Sequence, residues 1–344
     1  MDTSSEEQQA SASAEQASTE QAATDSDSRK TGGSSAAGRL PEIAFQLNGV
    51  PVADTFAEAF PMVAARLLIT AATAEWARIA AVEATGFATS VIACSAEAAI
   101  EAEVPADETP DGRPGISVLV FSFGRKGLAQ AVVDRVGQCV LTCPTTACYN
   151  GLPEGPKEER ILVGGQLRFF GDGFQASKKP ARQRYWRIPV MDGEFVCEER
   201  FDTVKGVGGG NLLLCGTTQQ QTLAAAGTAA DAMRTVPGVI LPFPGGIVRS
   251  GSKVGSRYKT LKASTNHPYC PTLAGRTESA LPAGTSAVYE IVVDGLSAAD
   301  VQRAMHVGLH AAAACPGLTL LTAGNYGGQL GKHHFHLREL QATP

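Results

Sequence analysis

Hydrophobic and polar residues follow two different periods along the chain from about residue 42. A short apolar stretch at 43–52 leads into residues 55–83, whose composition predicts a long helix with Pro61 near its start. The next apolar runs, FATSVIA at 87–93 and ISVLVF at 116–121, predict strands. A helix is then expected because apolar residues recur every four positions. These residues are Leu128, Val132, Val136 and Val140.

The second half of the chain repeats this order. Its predicted elements are strand 211–215, helix 218–234, strands 238–243 and 287–293, a helix with Ser297 as N-cap, and strand 318–322. Val301, Met305 and Leu309 form the apolar stripe of that last helix. Each half therefore reads as βαβ–βαβ. We expect an α+β protein of two duplicated ferredoxin-like (split βαβ) lobes, with helices packed on antiparallel sheets.

Three segments follow from this pattern. Residues 1–41 are expected to be a disordered tail, because the first 40 residues contain 13 Ser or Thr and no aromatic residue. Residues 42–205 form the predicted N-terminal ferredoxin-like lobe, with extra strands in LRFFGDGF and RYWRIPVM. Residues 206–344 form the C-terminal lobe, and GVGGGN at 206–211 is interpreted as the connector between the lobes.

Composition and charge narrow the class of protein. The 344 residues are 44% hydrophobic and 18% charged, as in a soluble globular protein. Beyond residue 40 the chain carries 26 basic and 27 acidic residues, so no basic excess favours a nucleic-acid partner. Neither a signal peptide nor an apolar run of transmembrane length is found, so no membrane partner is expected. The eight cysteines form no CxxC pair, which favours reduced thiols and a cytoplasmic location.

The strand AVYEIVV at 287–293 contains one acid, Glu290, which shares a face with Val288 and Val292. A hand alignment of the two halves sets Leu119 opposite Glu290, so the fold itself does not demand an acid there. A solvated edge, a buried ion pair and a catalytic acid in a dry site all remain open. A carboxyl group among apolar side chains has a raised pKa and can donate a proton or a hydrogen bond.

Several other motifs carry possible chemistry. The loop PFPGGIVRSGSKVGS at 242–256 resembles a phosphate cradle, but it lacks the P-loop spacing, and a surface turn is the alternative. AGNYGGQLGK at 323–332 presents Asn325 and Tyr326 between glycines that allow close backbone approach. HHFH at 333–336 lacks an evident third metal ligand nearby, so no metal site is expected. A nucleophilic Cys270–His267 pair would allow a covalent intermediate with a substrate.

Nine sequence blocks, in a single order from about residue 46 to the C-terminus, resemble one family. They are DTFAEAFPM, EATGFATSVI, ETPDGRPG, FFGDGF, PFPGGIV with SGSK, ASTN, VYEIV, AGNYGG with LGK, and HLREL. Together they resemble formylmethanofuran–tetrahydromethanopterin formyltransferase. The resemblance implies a duplicated ferredoxin-like fold and a homotetramer with its active site in a cleft between subunits. The implied reaction is formyl transfer between methanofuran and N5 of tetrahydromethanopterin, in one-carbon and formaldehyde oxidation metabolism.

The resemblance also assigns residues and partners. The family's catalytic glutamate lies in VYEIV and carries over to Glu290. With this context the loop at 242–256 is expected to bind substrate. The binding residues that we expect in this loop and in AGNYGG are Gly245, Gly246, Ser250, Ser252, Lys253, Asn325 and Tyr326. Methanofuran and tetrahydromethanopterin then act as substrates, with no tightly bound cofactor. Bacterial relatives form one subunit of a formyltransferase/hydrolase complex, so a non-catalytic or assembly subunit is the alternative function.

Overall fold

The structure, a computed structural model, describes residues 40–91, 94–156, 159–180, 183–254, 258 and 266–342. The disordered tail predicted at 1–41 lies outside these residues except for its last two positions.

Strands dominate the described part of the chain. They are β1 (Ile43–Leu47), β2 (Val50–Ala53), β3 (Phe56–Thr70), β4 (Glu97–Val104), β5 (Gly115–Ser122), β6 (Ala147–Asn150), β7 (Ile161–Leu162), β8 (Ala176–Lys178), β9 (Tyr185–Val190), β10 (Gly193–Glu198), β11 (Arg200–Phe201), β12 (Val204–Gly216), β13 (Val239–Ile240), β14 (Ala287–Gly295), β15 (Leu318–Thr322) and β16 (His333–His336). The helices are α1 (Ala74–Thr85), α2 (Arg125–Arg135), α3 (Gly164–Leu167), α4 (Gln219–Arg234) and α5 (Ala298–Ala313). No described helix is long and apolar enough to cross a membrane.

Within the described ranges, fourteen strands form one mixed sheet, and β7 pairs with β11 in a separate two-stranded sheet. In the first half the pairing order is β4-β5-β3-β6, with every neighbour antiparallel. In the second half it is β13-β14-β12-β15, again antiparallel throughout. Helices α1 and α2 cover the first set of strands, and α4 and α5 cover the second. The predicted α+β class is confirmed.

The two halves are joined by the pairing of their longest strands. Strand β12 runs antiparallel to β3, with a register from Val204 opposite Ala64 to Gly208 opposite Phe60. A Cβ at Gly208 would lie 2.2 Å from the Met62 sulfur, so a side chain there would displace Met62. The interpretation of GVGGGN as a connector was therefore wrong. The predicted lobe boundary at 205/206 falls inside β12.

The predicted long helix at 55–83 was also wrong. Its first half is β3, and only its second half is helical, in α1, which Thr73 caps by accepting a hydrogen bond from the Trp76 N–H. Most positions of β3 are buried on both faces, so the strand lacks the alternation that identifies a half-exposed strand.

Other predicted elements differ in position or length. Of the strand predicted at 87–93, residues 87–91 are irregular and 92–93 lie outside the described residues, while the strand itself is β4. LRFFGDGF forms the end of α3 and a 3₁₀ turn, Arg168–Gly171, instead of a strand. The strand predicted at 238–243 shrinks to β13.

The elements with the strongest periodicity are confirmed. They are β5, α2, α4, β14, α5 and β15. Ser297 accepts a hydrogen bond from the Asp300 N–H and is the N-cap of α5, as predicted. A π-helical turn, Val136–Val140, extends α2. The stripe of Val301, Met305 and Leu309 is fully buried.

Two buried acids meet where the halves join. Asp294 of β14 and Glu97 of β4 are 0% and 4% exposed, and the charge of Glu97 acts on Asp294. Glu97 Oε2 and Asp294 Oδ2 have no hydrogen-bond partner among the described residues, whereas Asp294 Oδ1 accepts the Gly209 N–H at 2.9 Å. Burial, followed by the charge of Glu97, raises the pKa of Asp294 well above its usual value. Asp294 is therefore biased towards its protonated form in the folded protein.

This proton makes the stability of the fold depend on pH. The unfolded chain releases it near pH ~4, so the free energy of unfolding should fall as pH rises from there towards the folded pKa. In Asp294→Asn an amide N–H replaces the proton, and Oδ1 still accepts from Gly209. The midpoint of thermal unfolding should therefore fall less between about pH 5 and about pH 8 in the variant than in the wild type.

Asp231→Asn is the matched control, because Asp231 is an exposed acid on α4. It should keep the wild-type pH dependence. Parallel pH profiles for Asp294→Asn and the wild type would show that Asp294 keeps no proton in the folded protein.

Candidate active site

Glu290 lies in the middle of β14, with backbone partners on both sides. Leu213 of β12 is its register partner on one side. On the other side, the Val248 N–H donates to the Glu290 carbonyl at 2.8 Å, and the Glu290 N–H donates to the Val248 carbonyl at 3.1 Å. This second contact attaches the loop that follows Gly246 to the edge of β14. The carboxyl group and the polar loop are thus placed together.

The side chain of Glu290 is half-buried and accepts two side-chain hydrogen bonds on one oxygen. Ser250 Oγ and Asn266 Nδ2 both donate to Oε2, the latter at 3.3 Å. Burial raises the pKa of Glu290, and the hydrogen bonds from Ser250 and Asn266 partly oppose that rise. The carboxyl group is therefore biased towards its protonated form, as an acid catalyst near neutral pH requires.

Tyr326 lies within electrostatic reach of the same carboxyl group. Burial raises the pKa of its phenol, and the charges of Glu290 and Glu58 add to that rise. The residue is nevertheless 46% exposed, and its ring centroid is 6.4 Å from that of Phe60. Tyr326 therefore offers one apolar face to the protein and one accessible face to a ligand. Of the residues predicted from the sequence, Ser250 hydrogen-bonds to Glu290, and Tyr326 lies within electrostatic reach of it.

Two further residues belong to this site but were missed in the sequence. Asn266 ends the ASTN block and binds the carboxyl group directly. Glu58 of β3 accepts backbone hydrogen bonds from the loop that carries Tyr326. Asn266 and Glu58 each lie within one of the nine sequence blocks that resemble the family, so those blocks indicated this part of the chain. Nothing in the composition of β3 distinguished Glu58 from a surface acid.

The other predicted binding residues occupy different surroundings. Asn325 Nδ2 donates to Thr55 Oγ1 at 3.0 Å and to the Phe56 carbonyl at 3.1 Å, so its side chain organises the loop. Ser252 is exposed and hydrogen-bonds with the Cys270 thiol, and Lys253 is half-buried. Carrier contacts of these residues stay predictions.

Gly245 and Gly246 line a cleft between the two halves, with a volume of about 450 Å³. Arg78 of α1 and Arg234 of α4 contribute cationic side chains to its wall. Gly246 has a φ of +76°, a left-handed conformation that favours glycine, and it packs against Arg234 Nη2 and Leu241. The cleft is a second concave surface beside the loop that reaches Glu290.

The alternative chemistries predicted at other motifs receive little support from their surroundings. Cys270 Sγ donates to the Asn266 carbonyl at 3.4 Å, and burial raises the pKa of the thiol, which opposes formation of a nucleophilic thiolate. His336 packs against the ring of Phe56. In the described part of the chain, no three His, Cys, Asp or Glu side chains are grouped so that they could hold a metal ion.

Comparison with known families decides the identity of the fold. Residues 45–190 match the family described as formylmethanofuran-tetrahydromethanopterin formyltransferase, and residues 193–340 match the family described as FTR, proximal lobe. The chain belongs to the formylmethanofuran–tetrahydromethanopterin formyltransferase family. The family predicted from the nine sequence blocks is thereby confirmed.

Curated relatives resemble this formyltransferase over most of its length. The formylmethanofuran–tetrahydromethanopterin formyltransferase of Methylococcus capsulatus is 56% identical over 86% of this chain and 99% of its own. One subunit of the formyltransferase/hydrolase complex of Methylorubrum extorquens is 55% identical over 87% of this chain and 98% of its own.

This chain is also similar in fold to solved structures of formyltransferases. The Methylorubrum extorquens complex FhcABCD, crystallised with methylofuran, contains a chain with a TM-score of 0.83 and 55% identity over 87% of this chain and 99% of its own. The Methanosarcina barkeri formyltransferase gives a TM-score of 0.80 and 48% identity over 86% of this chain and 100% of its own.

The hydrogen bond from Ser250 generates a test of the carboxyl group. Because this bond favours the ionised form, Ser250→Ala should raise the pKa of Glu290 further. If the protonated form is active, the alkaline fall in kcat at saturating carriers should move to higher pH. Ser286→Ala, which removes an exposed hydroxyl bonded to the Thr217 carbonyl, is the control. If the pH dependence of kcat is unchanged in Ser250→Ala, then ionisation of Glu290 does not cause the fall in kcat at alkaline pH.

Proposed function

We propose that this formyltransferase moves a formyl group between formylmethanofuran, or a methanofuran analogue, and N5 of tetrahydromethanopterin, with Glu290 handling the proton. Membership of the family supports the reaction. The observation that carries the catalytic role is the Glu290 carboxyl group, whose pKa burial raises while Ser250 and Asn266 hold one of its oxygens.

The reaction requires proton transfer and charge stabilisation at one carbon. The attacking amine nitrogen forms a bond to the formyl carbon, and the carbonyl electron pair moves onto oxygen to give a tetrahedral intermediate. A protonated Glu290 donates a hydrogen bond to that oxyanion, or relays the proton of the attacking amine to the leaving nitrogen. The carbonyl then re-forms as the original C–N bond breaks.

The neighbours of Glu290 suit this role. Ser250 and Asn266 both act on Oε2, so they fix the orientation of the carboxyl group. Tyr326 presents a partly exposed ring beside it, on which a flat heterocycle can pack. Formyl transfer moves no electrons to an acceptor, so the proposal includes no tightly bound cofactor. The two carriers act as substrates.

The proposal also includes a duplicated two-lobed fold and a cytoplasmic location, which go beyond membership of the family. The repeated orders β4-β5-β3-β6 and β13-β14-β12-β15 support two duplicated ferredoxin-like lobes, spanning about 42–205 and 206–344. The match to the family named as a proximal lobe, at 193–340, covers most of the second. All eight cysteines are free thiols, which supports a reducing, cytoplasmic location.

A role within a larger assembly is the second candidate function. The relative from Methylorubrum extorquens is a subunit of a formyltransferase/hydrolase complex, which favours hydrolase subunits as partners of this chain. The proposal places the active enzyme in a homotetramer that such partners can join.

Exposed apolar side chains of this chain support contact with other chains. Phe169, Phe170 and Phe174 are 67%, 63% and 84% exposed, and Met191 is fully exposed.

Glu290→Gln tests the catalytic role. The side chains are nearly isosteric, so the thermal midpoint and the binding of both carriers should change little. Turnover should fall on the order of 10²–10⁴-fold, because one acid–base group is lost from the transition state. Turnover, carrier affinity and thermal midpoint are measured on one preparation. Wild-type turnover excludes Glu290 as the proton-handling group, and lost activity that tracks unfolding indicates a structural acid.

Phe170→Asp tests the assembly surface. A charge among exposed phenylalanines should shift the mass measured by light scattering from a tetramer to a smaller species, and activity should fall with it. Leu223→Asp, at an exposed apolar position on α4, is the control and should leave the mass unchanged. A fully active monomer would contradict the proposed inter-subunit site.

A further inference from the structure

We propose that Glu58 is a positioning residue for carrier binding, because its ionised carboxylate holds the loop 324–331 in the shape that presents Tyr326 beside Glu290. The inference rests on the proposed function only for the identity of the carriers that bind at Tyr326. It concerns a residue that touches the loop backbone and acts through Tyr326.

The geometry of Glu58 is that of an anion held in a backbone cradle. Oε2 accepts the N–H groups of Tyr326 and Gly328 at 2.6 and 2.9 Å. Oε1 accepts those of Leu330 and Gly331, both at 2.6 Å. Successive N–H groups that converge on one charge form an anion-binding nest. Here the anion is a side chain of the protein itself.

A buried acid at this position destabilises the fold unless its charge is compensated, so the contacts of Glu58 show what compensates it. Glu58 is 2% exposed and lies between two fully buried alanines, Ala57 and Ala59. An uncompensated buried carboxylate is strongly unfavourable, and a hydrophobic residue would suit the strand better. Burial alone raises the pKa of Glu58, yet the four backbone donors outweigh it and hold the pKa below its usual value. The charge is thus maintained by the loop that it orders.

The loop shows the matching adaptations. A Cβ at Gly331 would lie 2.5 Å from the Ala59 carbonyl oxygen, so only glycine brings that N–H to Glu58. Gly327 has a φ of +72° with open space around it, which lets the chain turn between the two N–H groups bound to Oε2. The Tyr326 N–H is itself one of the four donors. The position of the Tyr326 backbone is therefore fixed directly by Glu58.

Binding of carriers to variants tests this inference without using activity. Dissociation constants for tetrahydromethanopterin and for methanofuran are measured by equilibrium binding, after the thermal midpoint shows that each variant is folded. Glu58→Gln places an amide donor against backbone donors, so binding of at least one carrier should weaken on the order of ten-fold or more. Glu58→Asp retains the charge and should restore part of the affinity.

A double-mutant cycle separates positioning from general stability. If Glu58 acts through Tyr326, then Tyr326→Ala and Glu58→Gln weaken binding of the same carrier, and the double variant is little worse than the poorer single one. Glu198→Gln is the control, since Glu198 is a buried acid (6% exposed) that accepts the Asn150 N–H at 3.0 Å in the other half. It should bind both carriers as the wild type does.

A milder change covers the case in which Glu58→Gln fails to fold. Gly327→Ala strains the left-handed turn of the loop and leaves the core intact. Gly327→Ala should weaken binding of the same carrier. Gly49→Ala should leave carrier binding unchanged, because Gly49 is a left-handed glycine with equally open surroundings in the β1–β2 turn.

The outcomes distinguish this inference from the catalytic proposal. Wild-type affinity in folded Glu58→Gln, or in Gly327→Ala where Glu58→Gln does not fold, overturns the positioning role. So do fully additive effects in the double variant. Neither result bears on turnover by Glu290→Gln. Conversely, an active Glu290→Gln removes the catalytic assignment while the binding data for Glu58 stand.

Discussion

The pairing of β3 with β12 is the contact on which the rest of the molecule depends. These are the longest described strands, and each is the strand through which its half pairs with the other. Their register brings Met62 against Gly208 so closely that a side chain at 208 would collide with the sulfur. Because β3 and β12 pair in this register, the strands of both halves belong to one sheet, and side chains of the first half can reach loops of the second.

The loop around Tyr326 shows what this junction accomplishes. Asn211 of β12 clamps its start, accepting the Gly324 N–H at 2.6 Å and donating to the Gly324 carbonyl at 3.1 Å. Glu58 of β3 binds the remainder through four backbone donors. A slip of one residue in either strand would turn its clamping side chain to the opposite face. The ligand-facing loop is therefore as well defined as the strand register.

The sequence predicted the elements around this site that are defined by patterns of neighbouring residues. The strand-forming residues of AVYEIVV, the cap at Ser297 and the apolar stripe of α5 are short-range patterns, and each marks an element that is present in the structure. Strand β3 could not be assigned in that way, because its alanines, leucines and arginine favour a helix and only burial on both faces makes it a strand. The role of Glu58 was hidden for the same reason, since its partners lie about 270 residues away.

The site then depends on two acids held in opposite states by their surroundings. Glu58 meets only converging N–H donors, and they lower its pKa in spite of burial. Glu290 meets fewer donors at a half-buried position of β14, and burial raises its pKa. Both carboxyl groups lie within electrostatic reach of the phenol of Tyr326. Separating two carboxyl groups in this way allows one to remain an anion that shapes the loop while the other keeps a proton for the reaction. The two roles could be exchanged only if the loop turned its converging N–H groups from Glu58 to Glu290.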